Sequence, residues 1–292
     1  MWVNHEPPDD FNTQAGDMTP TAGIPTLALS DDHTIPVVGF SVAESPPEQT
    51  EAAVAAALAA GYRLIDTGST ASSAEAVGRA IAGSSIPRGE IYVTATLPGS
   101  DQGFQSAQDA CRTALSRLGL DYVDLFLIDW PVEQDGKFVD AWAGLLKSHE
   151  VGDARSIGVA NFNTEQLTDV TDLSFTTPTV NQIELHPLLN QAALRAFHAE
   201  RSITTIAAVP SAQERISAHP VIASAAAAHG KSAEQVLIRW GIQLGTVVVH
   251  SASDPDRIAA NIDVFDFELS PAEVEAISEL DDGSRFRPDP NA

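Results

Sequence analysis

One cysteine, Cys111, stands in 292 residues. That excludes an internal disulfide and fits a reducing compartment. Lysine is nearly as scarce, at Lys137, Lys147 and Lys231 only. With 16 basic side chains against 40 acidic ones, the formal net charge is −24. Nucleic acid is therefore not an expected partner, because binding it needs clustered cations to displace counterions. The same balance opposes anionic cofactors unless a local cationic pocket overrides it, though acidity also serves plain solubility. No uncharged apolar run reaches the roughly 18 residues that a membrane span needs, so no membrane is expected. The opening residues have neither a basic segment nor an apolar one, so no signal peptide is expected and the location expected is cytoplasmic. No Gly-x-Gly-x-x-Gly follows a strand-like run, which weakens a doubly wound dinucleotide fold.

What the chain does have is alternation. Residues 1–24, rich in Pro, Asp, Asn, Gln and Thr, read as a flexible extension. Residues 26–36 read as a hairpin with a polar turn at 30–33. Short β-branched runs then recur at 37–42, 63–67, 91–97, 125–129, 156–161, 179–185, 203–209 and 246–249, each followed by a helical pattern. The helical pattern at 221–244 breaks near Gly230, and a last helix, capped by Ser270 with Pro271 in its first turn, runs to about Leu280. Strands this continuous in hydrophobicity suit a parallel sheet covered on both faces. Eight strand–helix units in about 250 residues predict one (β/α)8 barrel over 25–292, with an N-terminal hairpin and a C-terminal extra helix. Chemistry in such a barrel is done at the carboxyl ends of the strands. Asp66, closing the strand before the small polar turn 68–73, is the first candidate.

Several phrases go further: Ile35-Pro-Val-Val-Gly-Phe40, Ala59-Ala-Gly-Tyr-Arg-Leu-Ile-Asp66 and Asp121-Tyr-Val-Asp-Leu-Phe-Leu-Ile-Asp-Trp-Pro131. To these add Ile157-Gly-Val-Ala-Asn-Phe162, Val180-Asn-Gln-Ile-Glu-Leu-His-Pro187 and Arg257-Ile-Ala-Ala-Asn-Ile-Asp-Val-Phe265. In this order and spacing the chain resembles the aldo-keto reductase family, particularly its bacterial NADPH-dependent members. The resemblance implies hydride transfer from NADPH to an aldehyde or ketone. The family uses a tyrosine as acid, a lysine to lower its pKa, an aspartate to hold the lysine and a histidine to orient the carbonyl. Carried onto this sequence, the aspartate is Asp66, while Ala71, Thr96 and Asp129 stand where tyrosine, lysine and histidine belong. A positioned general acid contributes about 10²–10⁴-fold, so family-type reduction is expected to be very slow or absent. Tyr62, Tyr92 and Tyr122 precede or begin strands, on the wrong side of the barrel. Lys147 and Lys231 fall in helical patterns, and Lys137, in the loop after the fourth strand, is the candidate replacement cation.

The resemblance also assigns cofactor residues. Asn161 and Gln182 would hold the nicotinamide carboxamide, and Ser251, Arg257 and Asn261 would hold the 2′-phosphate end. Ala160 replaces a serine, Ala208 the aromatic that stacks on the nicotinamide, Val209 the serine after it, and His250 a lysine at the 2′-phosphate. Ala43 and Ser41 replace a tryptophan and a glycine at the substrate mouth. Losing a cation and an aromatic platform weakens binding by about 1–3 kcal/mol each, so NADPH is expected to bind weakly or not at all.

Asp66 and Asp129 then have two readings. Either they form a carboxylate pair for acid–base work or for a cation, or they are an inherited residue beside a solvated wall residue. Neither has an evident cationic partner in the sequence. Glu184 and His186 recur within the family phrase as structural residues, and no metal site is expected. His5, His33, His198, His219 and His229 are assigned to turns or helix surfaces. The functional expectation is a family member with a binding or regulatory role toward a small molecule. The alternatives are an oxidoreductase with a non-standard site and a structural partner of an active relative; the oligomeric state is not fixed by the sequence.

Overall fold

Short β-branched runs and helical patterns alternate along the chain, and they close into a barrel. The computed structural model describes residues 23–43, 45–68, 70–131, 137–208 and 214–290. Residues 1–22 of the expected extension lie outside these, as do Ser69 and Val209. Strands β1 (Thr26–Ala28) and β2 (Thr34–Pro36) form the antiparallel hairpin. The barrel then runs β3 (Val38–Ser41), α1 (Pro47–Ala60), β4 (Leu64–Asp66), α2 (Ala71–Gly83), β5 (Tyr92–Leu97), α3 (Phe104–Leu118) and β6 (Val123–Ile128). It continues with α4 (Phe138–Glu150), β7 (Ala154–Ala160), α5 (Thr164–Ser174), β8 (Val180–Glu184), α6 (Ala192–Glu200) and β9 (Thr204–Ala208). A short α7 (Glu214–Ser217), which the sequence pattern did not suggest, leads to α8 (Pro220–His229), α9 (Ala233–Gln243), β10 (Val247–His250), α10 (Pro255–Asn261) and α11 (Pro271–Ser278). Strands β3 to β10 are parallel and close in sequence order, with β10 beside β3. This is a (β/α)8 barrel.

Two cores follow from strand parity. Leu64, Tyr92, Leu125, Leu127, Val180, Ile206, Val247 and Val249 pack together with Leu29 and Ile35 of the hairpin segment, filling the barrel from its amino end. The alternate residues, among them Val38, Phe40, Ile65, Val93, Phe126 and Val248, pack outward against the helices with Trp142 and Trp240. Cys111 belongs to this outer core, and burial pushes its thiol up to about 12. Gly39 is required at the interior, since a Cβ there would lie 2.5 Å from Leu64 Cγ.

One expected helix limit needs correction, the break expected near Gly230 is present, and Lys231 leaves its expected helix. The turn after β4 is shorter than the polar run suggested: α2 begins at Ala71, because the Thr70 hydroxyl accepts the Ser73 N–H and caps the helix there. The 221–244 pattern is two helices, divided at Gly230, whose φ of +64° only glycine adopts readily. Lys231 therefore lies between helices, paired with Asp263 and Asp266.

Candidate active site at the barrel mouth

Side chains two residues apart on a strand share a face. The interior residues Leu64, Leu127 and Val249 therefore place Asp66, Asp129 and Ser251 on the same inward side, at the carboxyl end. Asp66 is buried and accepts hydrogen bonds from the Ser41 hydroxyl at 2.9 Å and the Gly68 N–H at 3.2 Å. The second bond needs Gly68 at φ +62°, with its Cα facing Ala43 so closely that a Cβ would lie 3.1 Å from Ala43 Cα. Burial pushes the Asp66 carboxyl above the ordinary carboxylate range, opposed by Gly68, Ser41, the Gln182 amide and the charge of Arg287. Asp129 follows β6 and donates its N–H to Leu97 O at 3.0 Å. Burial, reinforced by the charge of Asp66, raises its pKa to about 6, and Arg287 opposes the shift.

Arg287 corrects the expectation that the two carboxylates lack a cation. It reaches them from the C-terminal tail, far away in sequence. Together with Ser41, Ala43, Asp66, Gln182, Ala208, Val249 and Ser251 it lines a cavity of about 30 Å³ at the barrel mouth. Lys137, the candidate replacement, is exposed at the N-cap of α4 and lines none of this cavity.

The other expected site residues are distributed around that cavity. Ala71 is the first residue of α2. Thr96, on β5, lines a separate cleft of about 340 Å³ with Thr67, Gly68 and Thr70 that extends toward Arg117 on α3. Asn161 ends β7 in the left-handed region (φ +62°), its N–H donated to Gln182 O at 2.8 Å. It lines a neighbouring cleft of about 390 Å³ with Glu184, Gln191 and Arg285. Arg257 and Asn261 sit on α10, outside the cavity; Arg257 pairs with Glu234 at 2.7 Å, and Asn261 is buried. Trp130, directly after Asp129, holds φ +27°, a conformation that costs a bulky residue about 1–3 kcal/mol. The Gln102 amide, donating to Trp130 O at 2.6 Å, fixes it there.

Two histidines prove buried: His250 through strand parity, and His198 on the inner side of α6. His250 is one residue out of step with Val249, so it faces the helix layer rather than a phosphate. There its ring shares a 2.8 Å hydrogen bond with the Tyr62 hydroxyl, and burial lowers its pKa to about 4. His198, expected on a helix surface, is fully buried between Asn181 and Thr205, also lowered to about 4 by burial. Glu184 and His186 pair at 2.9 Å, and the carboxylate also accepts the Phe286 and Arg287 N–H groups. Among the described residues no three His, Cys, Asp or Glu side chains gather as a metal site.

A barrel of this register, with polar strand ends and Asp66 at its mouth, is what the family comparison bears on. A model of the Aldo/keto reductase family matches residues 38–282. The chain belongs to the aldo/keto reductase family. It is 55% identical over 269 residues to an aldo-keto reductase of Mycobacterium sp. (strain MCS), covering 92% of this chain and 95% of the relative. To one of Mycolicibacterium smegmatis it is 56% identical over 269 residues, with the same coverage. Among solved structures it resembles an aldo/keto reductase from Brucella melitensis, with a TM-score of 0.83 and 42% identity, covering 88% of this chain and all of that one. It also resembles a variant of Gox0644 solved in complex with NADPH, with a TM-score of 0.87 and 34% identity, covering 92% and 98%.

NADP(H) is the cofactor that such neighbours raise. Of the residues that the sequence assigns to it, Gln182 and Ser251 line the cavity, while Arg257 and Asn261 lie on α10. The cavity wall between them is Ala208 and Val249, with no aromatic platform.

Proposed function

We propose that this family member binds a small molecule at the barrel mouth, NADP(H) weakly or not at all, and has lost family-type carbonyl reduction. The reading rests on one observation: among the described residues, no tyrosine, lysine or histidine lines the cavity that holds Asp66. Asn161, Gln182, Ser251, Arg257 and Asn261 are the residues that would hold a dinucleotide, and the cofactor would supply hydride. Of this chain's own groups, Ser41 and Gly68 hold Asp66 as an acceptor, and none at that cavity supplies the proton that a developing alkoxide requires. An aliphatic alcohol is a poor acid beside a phenol of pKa about 10. A binding or regulatory role for the retained barrel is the functional conclusion.

A second reading has one observation in its favour. Asp129, with a pKa raised to about 6, holds a proton in a fraction of molecules near neutral pH and is suited to acid catalysis. NADPH fluorescence titration together with a reactive aldehyde separates the two. Weak or undetectable binding and no turnover support the first reading. Saturable binding with turnover that Asp129→Asn abolishes would overturn it in favour of the second.

A further inference from the structure

The C-terminal segment after α11 is fastened to the barrel mouth by bonds that the family reading does not use. Asp281 accepts the Asn190 N–H at 3.0 Å, and the Asp282 N–H reaches Leu188 O at 3.3 Å. Further along, both oxygens of Glu184 are occupied by the tail backbone: Oε1 takes the Phe286 N–H at 2.6 Å, and Oε2 takes the Arg287 N–H at 3.2 Å. Glu184 is itself held by His186, whose ring packs against Phe286 with centroids 4.9 Å apart. The result is a backbone clamp that aims one side chain, Arg287, into the cavity where Asp66 lies.

We propose that the tail is a latch over the barrel mouth: Glu184 grips its backbone, and Arg287 supplies across the opening the cation that Asp66 and Asp129 lack within the barrel. A ligand that reaches Gln182 and Ser251 must displace Arg287. The size of the opening supports this, because about 30 Å³ is the space of roughly one water, far short of an ordinary ligand pocket, and the guanidinium already lines it. The charged groups around Arg287 are Asp66 from β4, Asp129 after β6, Glu184 from β8, and the Arg285–Asp289 pair of the tail itself. Burial works against ionising both aspartates, and Arg287 is the opposing charge common to the two. The latch does not depend on which ligand the cavity takes; its competition with NADPH rests on the function proposed above.

Limited trypsin digestion of the full chain tests it. The bond after Arg285 lies in the latched segment, the bond after Arg287 is protected by Pro288, and cleavage after the exposed Arg79 on α2 serves as the standard for global opening. Cleavage of a transiently opened segment tracks its open population. Arg287→Ala is expected to speed cut formation after Arg285 about tenfold relative to Arg79, with Arg287→Lys between it and wild type. Asp66→Asn/Asp129→Asn should speed it comparably, and combining it with Arg287→Ala should add little, because coupled partners are not additive. Rates within twofold of wild type for Arg287→Ala, or effects that simply multiply, would overturn the latch. In a parallel titration NADPH should bind Arg287→Ala about tenfold tighter than wild type; equal affinity rejects the competition. Faster tail cleavage with no NADPH binding to either protein supports the latch and counts against the cofactor site.

Discussion

The two ends of the barrel handle buried charge in opposite ways. At the amino end, Asp124 pairs with Arg88 at 2.7 Å and Arg155 at 3.5 Å, and also accepts the Val93 N–H at 2.9 Å. Both arginines stack on the Tyr122 ring, 4.2 and 3.8 Å from its centroid. Every partner of Asp124 comes from the strands and adjoining loops of the barrel. At the carboxyl end two acidic groups face one another, and the cation near them arrives on the tail. The amino end is built to hold the fold. The mouth keeps an electrostatic conflict that folding alone would not require, which is why the proposed ligand site is placed there.

The largest effect should come from breaking the amino end. Asp124→Ala strands Arg88 and the Val93 N–H, and removing one partner of a buried pair costs about 3–5 kcal/mol. A urea unfolding free energy within about 0.5 kcal/mol of wild type would dissolve the contrast between the two ends.

The mouth should respond with the opposite sign. The folded pKa of Asp129 is about 6, against an ordinary value near 3.9 in the unfolded chain. Between those values the folded state holds more protons, so stability is greatest below the lower one and falls as pH rises through the upper. Asp129→Asn removes that loss, and should stabilise the protein by about 1–2 kcal/mol at pH 7.5 after allowance for solvent screening. The gain should vanish by pH 4. Melts across that range that show a constant offset would contradict the assignment. Arg287→Ala should raise the Asp129 pKa further above 6, which a carboxyl NMR titration reads directly; an unchanged midpoint would separate Arg287 from the pair.

A smaller effect is expected away from both ends. Ser270 and Glu273 form a reciprocal capping box at the start of α11. Ser270→Ala should cost about 1 kcal/mol without moving the Asp129 titration. A shift there would mean that α11 transmits to the mouth, and that the tail is less independent than drawn.

The barrel was legible because eight short, continuously apolar β-branched runs, each followed by a helical pattern, have few other solutions, and Asp66 was legible because it closes one of those runs. The expectations that failed did so for local physical reasons. Thr70 captures the Ser73 N–H, so Ala71 belongs to a helix rather than a turn. His250 differs from Val249 by a single step of strand parity, which exchanges the cavity for the helix layer. His198 carries a polar ring into the core because Asn181 and Thr205 receive it. Arg287 could not be read from spacing at all, since its contact with Glu184 spans 103 residues. The available signal was compositional: Ser284-Arg285-Phe286-Arg287-Pro288 places two of the chain's 16 basic residues within three positions, in a tail without helical period.

The central claim is that the mouth retains a reductase scaffold and lacks its acid, lysine and histidine. Its most direct measurement is NADPH-dependent reduction of a reactive aldehyde by Ala71→Tyr/Thr96→Lys/Asp129→His beside wild type. The account predicts no wild-type turnover above background and a rise of at least about 10²-fold in the restored protein, the lower range for a positioned acid. Wild-type turnover equal to that of the restored protein, or silence in a restored protein that binds NADPH, would contradict it.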